Sequence, residues 1–132
     1  MNNRRNEGEK EMKNLVILGA GYGGMAIITR LLSKELPQDI LITLIDLAPY
    51  HYCKTKFYAL AAGTIKEKHV YMPLPEHPQI NHIQSKVTKI DLEKKQVILE
   101  NKDPIQYDNL IIGLGCEDNY DHVPGAKEHS YS

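Results

Sequence analysis

Two short apolar runs separated by a segment of helical spacing dominate the first part of the chain. The runs are Leu15 to Leu18 and Ile40 to Ile45, and between them apolar residues recur at helical spacing from Met25 to Leu32, before Pro37 ends the helix. Strands that are apolar throughout are typical of parallel sheets covered on both faces. The pattern therefore predicts a strand–helix–strand unit with a right-handed crossover and two adjacent parallel strands.

Shorter strands are predicted later in the chain. Ile80 to Ile90 alternates apolar and polar residues, and Val97 to Leu99 follows a polar turn, which predicts an antiparallel hairpin or meander. Asn109 to Ile112 predicts another strand buried in the parallel sheet. The order of these elements predicts an α/β fold in three layers (β/β/α), with a parallel sheet, helices and an antiparallel β-meander.

The segment between these two regions has no single period. Thr55 to Ala62 has the pattern of a short helix that Gly63 ends, whereas Lys66 to Pro78 carries three prolines and predicts an irregular connection. Aromatic residues, lysines, a histidine and a cysteine are concentrated from Leu47 to Thr64. Because ligands of such sheets bind beyond the carboxyl ends of the strands, we expect this segment to contact the ligand.

A glycine motif at the end of the first strand indicates what that ligand is. Gly19, Gly21 and Gly24 have the spacing Gly-x-Gly-x-x-Gly. In order, they permit a tight turn, close approach of the backbone to a pyrophosphate, and close packing of the helix on the strand. The free N–H groups at the start of the helix favour phosphates. Asp46 ends the second strand, where a carboxylate accepts hydrogen bonds from a ribose, so the sequence predicts a dinucleotide site.

Composition and charge argue against several other classes. The 132 residues carry a formal net charge of -1, without the basic excess usual in nucleic-acid-binding proteins. No apolar run is long enough to cross a bilayer, and no apolar signal segment follows the N-terminal charges, so we expect a cytoplasmic location. Cys53 and Cys116 have neither metal-binding nor dithiol spacing, which fits a reducing compartment.

Taken in order, these motifs resemble those of a known family. The glycine motif, Asp46, the meander, Tyr107 to Gly115 (Tyr-Asp-x-Leu-Ile-Ile-Gly-x-Gly) and Pro124-Gly125 resemble the FAD-binding part of flavoproteins with two dinucleotide-binding domains. Pro49 to Tyr52 (Pro-Tyr-His-Tyr) and the later Leu-Ala-Ala-Gly are most similar to type II NADH dehydrogenases, the NADH:quinone oxidoreductases. The resemblance implies a Rossmann-like FAD/NAD(P)-binding domain.

The resemblance also implies which residues bind FAD. Asp46 would contact the adenosine ribose, the backbone of Val87 would contact the adenine, and Lys54 and Thr55 would lie near the flavin. Gly113-Leu114 stands where the family usually has Ala-Thr. No catalytic residue and no metal ligand is assigned. The predicted cofactor-binding set is Gly19, Ala20, Gly21, Tyr22, Gly23, Gly24, Asp46, Lys54, Thr55, Val87, Gly113, Leu114 and Gly115.

Three segments follow from this interpretation. We expect residues 1–13 to be a disordered lead-in, residues 14–126 to form the FAD-binding domain, and residues 127–132 to be a tail. The domain corresponds to about the first third of a type II NADH dehydrogenase. A second glycine motif for NADH and a C-terminal segment that docks on the cytoplasmic face of the membrane belong to the rest of such an enzyme.

The implied reaction defines the expected partners. NADH passes a hydride to FAD and the reduced flavin passes two electrons to a quinone, so the hydride chemistry belongs to the cofactor. Because part of the flavin site is missing, we expect this chain alone to be inactive and to retain FAD weakly or not at all. An apolar surface where a further domain packs would favour self-association, for example as a homodimer.

Three other interpretations remain open from the sequence. Cys53 follows Asp46 near the place where single-cysteine members of this superfamily keep their reactive thiol, which favours a thiol-dependent disulfide reductase or a sulfide:quinone oxidoreductase. The second alternative is a non-catalytic dinucleotide-binding module, and the third is a unit that binds NAD rather than FAD. Asp46 fits either cofactor, whereas the meander and the strand before Gly113 favour FAD.

Overall fold

The computed structural model describes residues 11–116, 119–120 and 123–129. Its strands and helices follow one another with short connections. Two 3-10 helices, Lys54–Lys56 and Glu67–His69, accompany the longer elements. The elements are β1 (Lys13–Leu18), α1 (Tyr22–Leu32), β2 (Ile40–Asp46), β3 (Tyr50–Tyr52), α2 (Phe57–Ala61), β4 (Tyr71–Pro73), β5 (Ile80–Gln84), β6 (Val87–Asp91), β7 (Gln96–Leu99), β8 (Ile105–Gln106), β9 (Asn109–Ile112) and α3 (Ala126–His129).

A four-stranded parallel sheet forms the centre of the domain, in the order β5-β2-β1-β9. Leu15 in β1 pairs with Ile42 on one side and with Asn109 on the other. Because β1 is an inner strand, its N–H and C=O groups find partners on both sides and its side chains are buried on both faces. The predicted unit of two adjacent parallel strands joined by a helix, with the last apolar strand in the same sheet, is confirmed.

Side chains that alternate along β1 enter two separate cores. Val16 and Leu18 pack with Val97 and Leu99 of the meander, whereas Ile17 packs with residues of the face that carries α1. All three β1 side chains are fully buried. Burial of each aliphatic side chain of this size contributes about 1.5–3 kcal/mol. The continuous apolar run of β1 is therefore explained by two cores, one on each face of the sheet.

The predicted antiparallel meander is present, but it begins later than the alternation indicates. Strands β6, β7 and β8 form a separate antiparallel sheet, whereas Ile80–Gln84 belongs to the parallel sheet beside β2. The chain changes sheet at Ser85, whose N–H donates to the Asp46 carbonyl. The prediction that Ile80 to Ile90 forms part of the meander throughout was wrong in its first half, because period-two alternation does not specify which sheet a strand joins.

Helix α1 ends at Leu32, earlier than the sequence indicates. The Ser33 N–H donates to Thr29 O at 3.0 Å, and its hydroxyl donates to Arg30 O at 2.8 Å. A serine that bonds the preceding carbonyls competes with continuation of the helix. The prediction that Pro37 ends the helix was therefore wrong, although Pro37 still precedes β2.

The region predicted to be an irregular connection contains regular structure. Within Lys66 to Pro78 lie the Glu67–His69 3-10 helix and β4, which pairs antiparallel with β3 so that Tyr52 stands opposite Tyr71. Pro73 is tolerated because it ends a short strand of a two-stranded sheet. That prediction was wrong, since a three-residue strand leaves almost no periodic signal.

The predicted short helix and the two end segments have different outcomes. The helix is present as the Lys54–Lys56 3-10 turn followed by α2, with Gly63 (φ +69°) after it in the left-handed region. Residues 1–10 of the predicted lead-in lie outside the described residues, and Lys13 begins β1. In the predicted tail, residues 127–129 belong to α3 and residues 130–132 lie outside the described part of the chain.

Candidate functional site

The glycine turn between β1 and α1 is fixed by backbone contacts that a side chain would prevent. Gly19 has φ +96°, and a Cβ atom there would meet the Gly113 carbonyl oxygen at 2.2 Å. At Gly24 a Cβ would meet the Gly19 carbonyl oxygen at 1.9 Å. Gly19 and Gly24 thus have the roles predicted from their spacing, a tight turn and a close helix-to-strand approach. The turn also touches the second Gly-x-Gly segment, at the end of β9.

Other glycines of the turn leave open space above the start of α1. A Cβ at Gly21 or Gly23 would have no atom within 4 Å. Helix α1 has Gly21 as its N-cap without a side-chain hydrogen bond, and its first internal bond runs from the Met25 N–H to Gly21 O at 3.0 Å. Among the described residues, the N–H groups of Tyr22, Gly23 and Gly24 have no acceptor. Free N–H groups at the positive end of a helix dipole form an anion site.

Asp46 lies beside this turn, at the carboxyl end of β2. Its Oδ2 accepts from the Ala20 N–H at 2.6 Å, and its Oδ1 accepts from the Ala48 N–H at 2.8 Å. An ionised carboxylate has about four acceptor positions, so both oxygens retain capacity for a ribose hydroxyl. The side chain therefore both holds the glycine turn and stays available to a ligand, and its contact with a ribose stays a prediction.

A cavity of about 430 Å³ lies above the turn, within the usual range for ligand sites. Two glycine segments form one side of it, and side chains of β2, β3 and the following 3-10 helix form the rest. Most of the cofactor-binding residues predicted from the sequence line this cavity. The lining consists of Gly19, Ala20, Gly21, Tyr22, Gly23, Asp46, Tyr50, Tyr52, Lys54, Gly113, Leu114, Gly115 and Cys116.

Three predicted residues do not line this cavity. Gly24 lies beneath the turn and Val87 packs against the core of the meander, opposite Leu99 in β7. Thr55 binds Tyr22 instead: the two hydroxyl oxygens are 2.8 Å apart, and the Thr55 N–H donates to the Tyr22 hydroxyl at 3.3 Å. Thr55 thus supports a residue of the lining. The adenine contact of the Val87 backbone stays a prediction.

Tyr50 and Tyr52 were missed as individual site residues, although aromatic density from Leu47 to Thr64 indicated the region. Their rings contact each other edge-on at 4.9 Å and both contact Tyr71 of β4. A hydrogen bond to Glu67 raises the pKa of the Tyr71 phenol to about 12. The pKa of Tyr52 is also raised, chiefly by its hydrogen bond with Tyr50. Tyr50 and Tyr52 line the cavity, and Tyr71 supports both of them from the paired strand β4.

The two cysteines lie in different environments. Cys53 is buried, its N–H donates to Val70 O, and it does not line the cavity. Cys116 is exposed and lines the cavity. The thiol available to a ligand in this cavity is therefore that of Cys116. The sequence had indicated Cys53 instead.

Within the described ranges, no helix has the length and apolar character to cross a membrane. In the same part of the chain, no three side chains of the metal-binding types His, Cys, Asp and Glu come together as a candidate metal site.

Comparison with known proteins establishes the family. The family model "Pyridine nucleotide-disulphide oxidoreductase" matches residues 13–132. The chain belongs to this family. The site at the glycine turn therefore lies in an oxidoreductase domain whose family name refers to a pyridine nucleotide.

Individual members of the family resemble the chain over most of its length. The NADH dehydrogenase-like protein YutJ of Bacillus subtilis (strain 168) is 53% identical over 121 residues, 92% of this chain and 34% of that protein. The type II NADH:quinone oxidoreductase of Staphylococcus aureus (strain NCTC 8325 / PS 47) is 31% identical over 125 residues, 92% of this chain and 31% of that protein. The chain thus spans about a third of the length of these curated relatives.

A solved structure gives the same fold. The sulfide:quinone oxidoreductase of the hyperthermophilic bacterium Aquifex aeolicus matches with a TM-score of 0.78 and 32% identity, over 89% of this chain and 28% of that one. The predicted Rossmann-like fold and the predicted relation to NADH dehydrogenases are confirmed. FAD as cofactor agrees with the family. Electron transfer to a quinone stays a prediction for this chain.

Proposed function

We propose that this oxidoreductase domain binds FAD and forms the flavin-binding part of an enzyme that transfers electrons from NADH through FAD to a quinone. The names of two relatives, an NADH dehydrogenase-like protein and a type II NADH:quinone oxidoreductase, support the donor and the acceptor. The longer enzyme would act at the cytoplasmic face of the membrane as a peripheral protein. The contribution proposed for this chain is cofactor binding, because its residues form the glycine turn and the cavity above it.

The observation that carries this proposal is the open, uncapped start of α1. Tyr22, Gly23 and Gly24 offer free N–H groups, and no Cβ obstructs Gly21 or Gly23. The pyrophosphate of FAD carries negative charge and needs donors at close range, so the chemistry of the donors fits it. A terminal phosphate alone would not require the second glycine segment, which extends the same cavity.

Other parts of the cavity have separate roles in the proposal. Asp46 would accept hydrogen bonds from the adenosine ribose, and Lys54, which lines the cavity, would place a positive charge beside the flavin. Gly113 to Gly115 would let the backbone approach the isoalloxazine ring. When bound, FAD would supply the redox chemistry, and the protein would supply position and electrostatics. No side chain described here is assigned as a general acid or base.

An absorbance spectrum of the purified chain, recorded with increasing FAD across the flavin bands, tests the proposal. We expect a saturable change in the flavin bands, as binding to a defined site produces. Competition by ADP would place the bound adenine dinucleotide at the glycine turn. Binding of NAD or AMP without any binding of FAD would contradict the FAD assignment and favour a nucleotide-binding module.

A sulfide:quinone or thiol-dependent enzyme is a second candidate, favoured by the similarity to the Aquifex aeolicus structure and by the exposed thiol of Cys116 in the cavity. If the reaction needs a thiol, Cys116→Ser in the complete enzyme abolishes turnover with sulfide or a disulfide. Cys53→Ser serves as the control because Cys53 is buried away from the cavity. Full NADH:quinone activity in both variants would exclude the thiol mechanism.

A further inference from the structure

His51 is a buried histidine beside the glycine turn, and none of the roles above uses it. It lies in the middle of β3, between the cavity residues Tyr50 and Tyr52, and only 4% of its surface is exposed. Its Nδ1 is 2.7 Å from the carbonyl oxygen of Ala20. Because a carbonyl oxygen only accepts hydrogen bonds, Nδ1 carries the proton and donates it.

This hydrogen bond fixes a peptide plane of the turn. The Ala20 carbonyl and the Gly21 N–H belong to the same trans peptide, in which the two groups point in opposite directions. Holding the carbonyl toward His51 therefore directs the Gly21 N–H away from the imidazole. Space at Gly21 is open, with no atom within 4 Å of an added Cβ. His51 thus sets the direction of a donor at the position where the spacing predicts a pyrophosphate.

Two further contacts make this arrangement rigid. Asp46 accepts from the Ala20 N–H, so Ala20 is held at both of its backbone polar groups. The His51 ring also meets the Tyr22 ring edge-on, with centroids 4.8 Å apart and planes at 82°. Tyr22 is the first residue of α1, and its hydroxyl is held by Thr55. The His51 imidazole therefore connects β3 to Ala20, before the helix, and to Tyr22, its first residue.

We propose that His51 is a positioning residue for diphosphate-bearing ligands, acting through the Ala20–Gly21 peptide. The inference rests on the proposed function, in that it takes the ligand at this turn to be a dinucleotide. A turn with a freely rotating Ala20–Gly21 peptide would present the Gly21 N–H in several directions and lose part of its donor geometry. The effect should therefore depend on the diphosphate and on the Nδ1 donor, not on the size of the ring.

Two substitutions separate the effect of the Nδ1 donor from that of the aromatic ring of His51. His51→Phe keeps an aromatic ring against Tyr22 but has no donor for Ala20 O. His51→Asn loses the ring but carries an amide nitrogen as many bonds from Cα as Nδ1. His82→Phe is the matched control, because His82 is an exposed residue of β5 and does not line the cavity.

Calorimetric titration of the full chain and these variants with ADP and with AMP measures the effect. We expect His51→Phe to bind ADP about tenfold more weakly, which equals about 1.4 kcal/mol, while AMP changes by less than about threefold. His51→Asn should recover most of the ADP affinity, and His82→Phe should match the parent chain. Thermal unfolding of each variant, followed by circular dichroism, shows whether a loss of affinity reflects a loss of fold.

A measurement on the unsubstituted chain keeps the inference testable even if a variant does not fold. A long-range proton–nitrogen NMR spectrum distinguishes the two imidazole nitrogens, and we expect Nδ1 of His51 to carry the proton. Equal losses for ADP and AMP, absence of rescue by asparagine, or an unprotonated Nδ1 would each overturn the inference while leaving the proposed function intact. If the parent chain binds neither FAD nor ADP, the proposed function fails, and the inference fails with it.

Discussion

The glycine turn, residues 19–24, and the aromatic segment, residues 50–61, face the same cavity but are held in different ways. The turn depends on close backbone approach, since Gly24 lies against the Gly19 carbonyl at a distance that excludes any Cβ, and Asp46 and His51 fix Ala20. Side chains hold the aromatic segment, through ring contacts among Tyr50, Tyr52 and Tyr71 and through the bond from His51 to Ala20. The turn therefore leaves no room for a Cβ atom at Gly19 or Gly24, whereas the aromatic segment depends on contacts between side chains.

The largest effect should come from a methyl group placed inside the turn. Gly24→Ala places a Cβ about 1.9 Å from the Gly19 carbonyl oxygen, a backbone atom that cannot move without displacing β1. We expect it to lower the free energy of unfolding by about 3 kcal/mol, at the upper end of what forced overpacking costs, and to abolish FAD binding. Urea unfolding followed by circular dichroism measures the stability.

Gly23→Ala is the matched control, because Gly23 lies in the same helix with open space around it. Replacing a helical glycine by alanine should raise stability by about 0.5–1 kcal/mol. Equal destabilisation by the two substitutions would contradict the view that the close approach at Gly24 is what fixes the turn.

The next largest effect should come from the Asp46 carboxylate, which holds the glycine turn at Ala20. Asp46→Asn replaces one acceptor oxygen by an NH₂ group that faces an N–H donor, either that of Ala20 or that of Ala48. We expect a loss of stability of about 1–3 kcal/mol and at least about tenfold weaker FAD binding. Urea unfolding and the flavin titration measure the two effects.

Asp108→Asn is the comparable substitution at the other end of the sheet, where Asp108 Oδ2 accepts from the Asn14 N–H at 2.7 Å. It should lower stability by a smaller amount because the bond is exposed, and it should leave FAD affinity unchanged. A loss of FAD affinity in Asp108→Asn would show that Asp46 acts only through general stability.

A smaller effect is expected where the aromatic segment supports the turn. Tyr22→Phe and Thr55→Val each remove the 2.8 Å contact between the two hydroxyl groups. Because the contact is exposed, we expect each to cost about 0.5–1 kcal/mol, with the double variant costing less than the sum. Strict additivity in this double-mutant cycle would mean that the hydroxyl pair does not link the two regions.

The smallest effect should be a decrease in the free energy of unfolding at alkaline pH. The pKa of Tyr71 is raised to about 12 by its hydrogen bond to Glu67, whereas an unfolded tyrosine titrates near 10. The folded chain then holds the Tyr71 proton while the unfolded chain loses it, so stability should fall as the pH rises from about 10 to 12. Ultraviolet absorbance of tyrosinate should show that Tyr71 ionises late, and Glu67→Gln should make Tyr71 ionise at lower pH.

The contrast between the two regions also explains which predictions succeeded. β1, α1, β2 and β9 were predicted because long apolar periods and the glycine spacing are local signals. The division of Ile80 to Ile90 between two sheets was not predicted, because both strands show the same alternation of apolar and polar residues. Tyr50 and Tyr52 line the cavity from β3, which pairs with β4, and a three-residue strand after Pro49 has too little pattern to reveal that pairing.

The sequence by itself determined the parallel strand–helix–strand unit, its glycine turn and the acidic end of β2, because each depends on residues close together in the chain. Tertiary structure alone decided that the turn touches Gly113, that Ala20 is held by both Asp46 and His51, and that Thr55 supports Tyr22. These contacts join residues 26–94 positions apart. No local period encodes such pairs, since their geometry follows from how the sheets and connections pack together.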